Sequence, residues 1–289
     1  MYVLENDRLK IEIAPPGDDY SGSRFDWTGF ITQVTLDGEI TYCVPERLEA
    51  GVGTGGRGLS NEFGIDAPVG YEEAGVGEQF PKIGVGLLTK KADEAYDFFS
   101  NYEVTPAECK VKSNLNEQSI TFDTTAESPS GYGYQLEKKI SLDDNHLVIA
   151  YTLKNTGKVS FKTNEYSHNF IGINNQTVDE NYKLTLPALR DLNVTVGTIK
   201  VSNKQLTWPV VPEGDFYAHI DMEESQEKYN WDLYHTKVGA GVRGQSDFKP
   251  AKMALWGREH VVSPEVFINI HLGPGETKKW KRNYQFYLK

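Results

Sequence analysis

In the stretch Thr163-Asn164-Glu165-Tyr166-Ser167-His168-Asn169-Phe170, an imidazole and a carboxylate lie between two amides at the end of a strand-like run. His168 is the side chain suited to proton transfer near neutral pH. Glu165, Asn164 and Asn169 are the residue types that orient an imidazole or hold the hydroxyl groups of a ligand. The plainer alternative for His168 is a structural histidine hydrogen-bonded beneath a loop. The Asn-rich neighbourhood, costly to bury without partners, favours the chemical reading.

A second group of polar residues lies in Gly51 to Gly86, which holds eleven of the 27 glycines. A glycine-rich stretch of this length inside a compact chain reads as a functional loop region, where glycine lets the backbone turn sharply and approach a ligand closely. It carries Arg57, Asn61, Glu62 and Lys82 as candidate ligand contacts, with loop structuring as the alternative for each. Gly51-Val52-Gly53-Thr54-Gly55-Gly56-Arg57-Gly58 lacks the strand–loop–helix context and the Lys-Ser/Thr ending of a phosphate loop. Aromatic residues make up 12% of the chain, and most belong to a β core. Trp27, Trp208, Trp231 and Trp256 are candidates for a platform on which a sugar ring stacks. The expected partner is a small-molecule sugar or oligosaccharide, since neutral ligands remain open at a net charge of -11, which disfavours a nucleic-acid partner.

The elements that must position these groups are strands. Leu9 to Ile13 alternates apolar and polar. Phe30 to Leu36 meets Glu39 to Val44 at Asp37-Gly38, a strong hairpin signal. Cys109 to Leu115 and Ser119 to Thr125 turn at Asn116-Glu117. Gln135 to Leu142 and His146 to Asn155 turn at Asp143-Asp144-Asn145, and Val159 to Thr163 follows. Further strands are expected over 182–186, 198–201, 216–220, 230–236, 252–256, 265–272 and 279–288. Ala92 to Phe99 reads as a short helix or a strand. More than a dozen strands without a linker predict an all-β chain, a large antiparallel β-sandwich forming a single domain over residues 1–289.

Cys43 and Cys109 have neither disulfide-framework nor zinc spacing, and no His pair suggests a metal site. Met1-Tyr2-Val3-Leu4-Glu5-Asn6-Asp7 turns polar too early for a secretory leader, and no run approaches membrane-spanning length. These features predict a cytoplasmic protein without a membrane partner, monomeric or homodimeric.

Two regions resemble the aldose 1-epimerase (galactose mutarotase-like) superfamily. The first is Tyr151-Thr152-Leu153-Lys154-Asn155-Thr156-Gly157 followed by Glu165-Tyr166-Ser167-His168-Asn169-Phe170. The second is Ser263-Pro264-Glu265-Val266-Phe267 with Leu272-Gly273-Pro274-Gly275-Glu276-Thr277 and the run Trp280 to Phe286. The resemblance implies the mutarotase-like supersandwich and interconversion of sugar anomers, with Glu265 as base, His168 as acid and no cofactor. Arg57, Asn61, Glu62, Lys82, Glu165, Asn169 and Trp256 are the expected substrate contacts. The chain departs from the family pattern in two ways. Phe80 to Gly86 offers no second active-site His, a place that Lys82 or Arg57 would have to fill. Asp232 is only a loose substitute for the family's substrate-binding Asp. The resemblance therefore marks a divergent member. It leaves open a sugar-binding protein without turnover, a glycoside-cleaving enzyme using Glu62 and Glu265, and a sugar-phosphate epimerase with Arg24, Arg57 or Arg258 as clamp.

Overall fold

The computed structural model describes residues 1–114 and 118–289. Two ten-stranded antiparallel sheets pack face to face. The first runs β1 (Tyr2–Glu5), β2 (Leu9–Ala14), β3 (Phe30–Leu36), β5 (Leu59–Phe63), β13 (Phe161–Asn169), β22 (Val261–Leu272), β21 (Lys252–Arg258), β18 (Phe216–Met222) and β15 (Leu189–Val196), with β4 (Ile40–Thr41) paired to β3. The second runs β16 (Lys200–Ser202), β17 (Gln205–Thr207), β14 (Tyr182–Thr185), β19 (Trp231–His235), β20 (Ala240–Ser246), β23 (Thr277–Leu288), β12 (His146–Asn155), β11 (Gly133–Asp143), β10 (Ser119–Glu127) and β9 (Glu108–Asn114). A small third sheet holds β6 (Gln79–Lys82), β7 (Gly86–Thr89) and β8 (Val104–Pro106). The helical structure of the described residues is one 3-10 turn, Ile173–Asn175, so none of their helices could cross a membrane.

The alternation read from the sequence has a direct physical source. In β12 every second residue from Leu147 to Asn155 is buried, and the others lie at intermediate or full exposure. The inward side chains of both sheets join one hydrophobic cluster containing Ile31, Leu59, Ile140, Leu153, Trp208 and Trp231. Asp37 and Gly38 both take positive φ, as the tight hairpin requires. The turn expected at Asn116-Glu117, and Leu115 before it, lie outside the described residues.

Several elements differ from expectation. Residues 92–99 form turns and bends, neither helix nor strand. The glycine-rich stretch is not all loop, since it carries β5 and β6. Leu59-Ser60-Asn61-Glu62-Phe63 shows no apolar alternation because all five residues are buried in the middle of the sheet. The close approaches that glycine allows are to the chain itself. A Cβ on Gly58, at φ +59°, would stand 2.1 Å from the Ile31 carbonyl oxygen, and one on Gly56 would stand 2.4 Å from the Phe170 ring.

The interface between the sheets holds a polar cluster. The Glu165 carboxylate on β13 accepts hydrogen bonds from Arg282 Nη2 at 2.6 Å and Nε at 3.1 Å, from Trp280 Nε1 at 3.1 Å and from Asn61 Nδ2 at 3.0 Å. Asn61 Oδ1 in turn accepts from Lys138 Nζ and Tyr151 OH, each at 2.9 Å. Lys138 Nζ lies 2.6 Å from Asp26 Oδ2. Removing one member of such a buried pair leaves a charge without compensation, which typically costs about 3–5 kcal/mol. Arg282→Met is therefore expected to lose about that much stability in urea denaturation. A loss under about 1 kcal/mol would mean the cluster does not hold the sheets together.

Candidate functional site

The side chains of β13 divide by parity, since successive residues of a strand face opposite sides of the sheet. Glu165, Ser167 and Asn169 face the second sheet. Tyr166, His168 and Phe170 face the other way, towards a cleft of about 400 Å³. Neighbouring strands contribute by the same rule. Ser263 and Glu265 come from β22, Trp256 from β21, and Tyr217 and His219 from β18. The cross-strand pairs Ala254–Glu265 and His219–Ala254 set His219 and Glu265 on either side of the small Ala254.

His168 and Glu265 meet at this floor. His168 Nε2 lies 3.3 Å from Glu265 Oε1, and both side chains are nearly buried. Ser263 Oγ is 2.8 Å from His168 Nδ1 and 3.4 Å from Glu265 Oε1, so it orients both groups. Aromatic rings enclose the imidazole: Phe170 stacks on it at 4.0 Å and Trp256 meets it edge-on at 5.1 Å. In this dry setting burial pushes the Glu265 carboxyl up to about 8, against a lowering by Arg24 and a further rise from Glu62. Burial, aided by the Arg24 charge, holds His168 well below its ordinary value. At neutral pH the unliganded pair thus carries one proton, on Glu265.

Behind the pair lies a second charged group. Glu62 Oε2 accepts from Arg24 Nε at 2.8 Å and Tyr166 OH at 2.7 Å, and Glu62 Oε1 accepts from Lys82 Nζ at 3.3 Å. Burial alone would raise the Glu62 pKa, but Arg24, Lys82 and the Tyr166 hydroxyl outweigh it and hold the pKa low. Burial also lowers Lys82, against Glu62. Arg24 Nη2 donates to Tyr166 OH at 3.0 Å, and the guanidinium forms part of the cleft wall.

The residues expected from the sequence therefore occupy different places. His168, Glu265 and Trp256 line the cleft. Glu62 and Lys82 are fully buried beneath it. Asn61 and Glu165 lie between the sheets. Asn169 faces the same way, donating to the Pro264 carbonyl oxygen at 2.6 Å and accepting from Tyr284 OH at 2.9 Å. Arg57 is largely exposed and lies 3.6 Å from Asp19. Trp208 and Trp231 are core residues, and Trp27 packs at the edge of two smaller clusters. Asp232 belongs to β19 in the second sheet, bonded to Arg243 and Tyr287.

The sequence reading did not select Tyr166, Ser263, Tyr217, His219, Phe98 or Phe99, and it offered Arg24 only as a phosphate clamp. Strand parity would have found Tyr166 and Ser263, each two residues before a chosen group. Arg24 has no local signal. Among the described residues, no cluster of three or more His, Cys, Asp or Glu is placed to hold a metal ion. Cys43 and Cys109 are free thiols.

No family model matches this chain, and no curated protein matches it. Solved structures do. Slr1438 from Synechocystis sp. PCC 6803 has a TM-score of 0.66 at 12% identity, over 100% of this chain and 96% of its own. A galactose mutarotase-like protein from Lactobacillus casei ATCC 334 has a TM-score of 0.62 at 14% identity, over 99% of this chain and 100% of its own. A GalM/aldose epimerase homologue from C. elegans has a TM-score of 0.53 at 10% identity, over 98% and 96%. The chain has the galactose mutarotase-like fold along nearly its whole length, and the sequence resemblance is matched in architecture. At these identities the likeness establishes the fold.

The raised Glu265 pKa makes a prediction about stability. Below an ordinary carboxyl value near 4.5 the group is protonated in both folded and unfolded chains. Between there and about 8 only the unfolded chain loses the proton, so stability falls as pH rises. Glu265→Gln removes this term. Its melting temperature relative to the wild type should rise between pH 5 and pH 8, by an amount on the order of a few kcal/mol in stability. A pH-independent difference would contradict the raised pKa.

Proposed function

We propose that this protein is a carbohydrate-active enzyme that interconverts the anomers of a neutral sugar, acting as a single domain with Glu265 and His168 as its acid–base pair. The observation that carries the reading is the 3.3 Å contact between His168 Nε2 and Glu265 Oε1 in an aromatic-walled cleft. Ring opening exchanges protons at two oxygens bonded to the same carbon, so acid and base must be neighbours. Cleft charge supports a neutral ligand: Arg24, Arg47 and Lys252 are opposed by Glu46, Asp66 and Asp215, with Glu265 protonated at rest.

In the proposed cycle the shared proton first passes from Glu265 to His168 as the closed sugar binds, and the Glu265 carboxylate then takes the proton from the C1 hydroxyl. The C1–O5 bond breaks, its electron pair goes to O5, and O5 takes a proton from the His168 imidazolium. The C1–O bond becomes a carbonyl. Rotation about C1–C2 and closure on the other face reverse both transfers. The pair holds one proton throughout. With the closed ring that proton is on His168; with the open chain it is on Glu265. Burial favours the neutral distribution, which stabilises the pair alongside the open-chain sugar. Ser263 supports the reaction by holding His168 Nδ1, leaving Nε2 beside Glu265 for proton transfer.

Other enzymatic readings fit the site less well. A glycoside-cleaving pair would need Glu62 in the cleft, and it is sealed beneath Arg24 and Lys82. A phosphate clamp would need free arginines, but Arg24 is bonded to Glu62, Arg57 lies beside Asp19, and Arg258 beside Asp215 and Glu259. Sugar binding without turnover is favoured by one observation: Lys82, in the segment that lacks the second His, is too buried to reach a sugar.

Polarimetry or NMR of freshly dissolved aldoses separates these readings. The wild type should accelerate equilibration for at least one aldose, and His168→Ala and Glu265→Gln should each slow it by roughly 10²–10⁴-fold. Wild-type rates no faster than buffer across a broad aldose panel would remove the enzymatic reading, and saturable binding in the same samples would leave the binding protein. Activity should also decline as pH rises through about 8, where the pair gives up its proton. A profile flat from pH 7 to 10 would argue against the shared proton.

A further inference from the structure

Residues 91–101 lie between β7 and β8 and supply Phe98 and Phe99 to the wall of the Glu265 cleft. They form no helix or strand, and they make one backbone hydrogen bond among themselves, from the Ser100 N–H to the Asp97 carbonyl oxygen at 3.0 Å. A segment with so few backbone bonds belongs to the low-stability end of a fold, so side chains must hold it. Tyr96, Phe98 and Ser100 are its half-buried residues, and the rest are exposed. Each of the three is held by a different side chain. Ser23 Oγ donates to the Ser100 carbonyl oxygen at 3.3 Å, the Arg24 guanidinium sits 4.3 Å over the Phe98 ring, and Lys82 Nζ donates to Tyr96 OH at 3.1 Å.

Two of these holders are the cations of Glu62. Lys82 Nζ also donates to Glu62 Oε1 at 3.3 Å and to the Gly64 carbonyl oxygen at 3.4 Å. An ammonium has three donors, so all of them are used and none is left for a ligand. Glu62 lies on β5 and Gly64 follows it, so two of the three bonds fix the ammonium to a central strand. The third reaches a segment with no secondary structure of its own. Tyr96 can transmit that hold, because its ring stacks on Tyr102 at 5.4 Å and meets Tyr71 edge-on at 5.4 Å. Two residues further on, Phe98 lines the cleft.

We propose that Lys82 is a positioning residue of the sugar cleft: through Tyr96 it latches residues 91–101 in place as a wall, and the segment swings out to admit the sugar and closes over it. The proposal rests on the sugar reading above. Lys82 acts on the sugar without touching it, which accounts for an ammonium buried completely beneath the cleft. Glu62 is the common anchor, since it holds both Lys82 at Tyr96 and Arg24 at Phe98. β7 and β8 pair with each other at the base of the segment, so it can move without disturbing either large sheet. The acid–base pair lies on β13 and β22. Opening therefore changes how long the sugar stays and leaves the proton transfers as they are.

Tyr96→Phe on the full chain removes the hydroxyl and keeps the ring contacts. Hydrogen exchange read by mass spectrometry should quicken about tenfold over residues 91–101 and keep the wild-type rate over β12 and β13, tenfold being the effect of losing one hydrogen bond to a charged group. In the aldose assay KM, or Kd where the sugar binds without turnover, should rise about tenfold while kcat changes less than about twofold. A loss of overall stability would not produce that split. In the wild type, saturating aldose should slow exchange over the same residues, a measurement that needs no variant. Unchanged exchange over 91–101 in Tyr96→Phe would overturn the proposal. So would an unchanged KM or Kd beside loosened exchange, or wild-type exchange that bound sugar does not slow. If the wild type neither binds nor turns over any aldose, the sugar reading falls, and exchange in Tyr96→Phe then upholds or overturns the latch by itself.

Discussion

Glu62, Glu165 and Glu265 sit on adjacent central strands of one sheet with almost no access to water, and each meets the cost of burial differently. Glu165 has Arg282, Trp280 and Asn61. Glu62 has Arg24, Lys82 and the Tyr166 hydroxyl. Glu265 has the Ser263 hydroxyl and an imidazole that burial keeps neutral. The placement of cations therefore separates Glu62 from Glu265. Glu62 is held as an anion, Glu165 is bonded to the Arg282 guanidinium, and Glu265 keeps its proton to an unusually high pH. Titratable groups pushed apart by their surroundings are the usual mark of acid–base machinery, and here the separation comes from which face of a strand each group occupies.

Much of the fold was legible because β12, β11 and β23 alternate cleanly and their turns carry the expected residues. β5 was hidden for the opposite reason: its Ser60, Asn61 and Glu62 are buried by side-chain partners from distant strands, so its hydrophobic pattern is erased. β15 and β20 escaped notice as well. Leu189–Val196 is largely exposed and polar, and Ala240–Ser246 carries two glycines that make room for Trp231 and Tyr287. At the site, the sequence supplied the acid–base candidates but grouped Glu165 and Asn169 with His168 by proximity along the chain. In a strand, neighbours along the chain lie on opposite faces. The same period of two that revealed the strand would have separated the inter-sheet cluster from the cleft.

Arg24 is the part that local pattern could not supply, since its meaning depends on Glu62, 38 residues away, and Tyr166, 142 residues away. Its charge state also matters to the pair. A histidine in that place would change charge near neutral pH and couple its titration to the pair. A guanidinium keeps its charge and is pinned by Glu62, so it contributes a fixed field across the cleft. That field lowers the pKa of both His168 and Glu265, while burial raises Glu265 and lowers His168. The two influences reinforce one another on the imidazole and oppose one another on the carboxyl. In the unliganded protein the imidazole is thereby held neutral, whereas the carboxyl is left close to the pH at which it gives up its proton. Fixed charge behind and aromatic walls around thus act differently on two groups 3.3 Å apart, together on the imidazole and in opposition on the carboxyl.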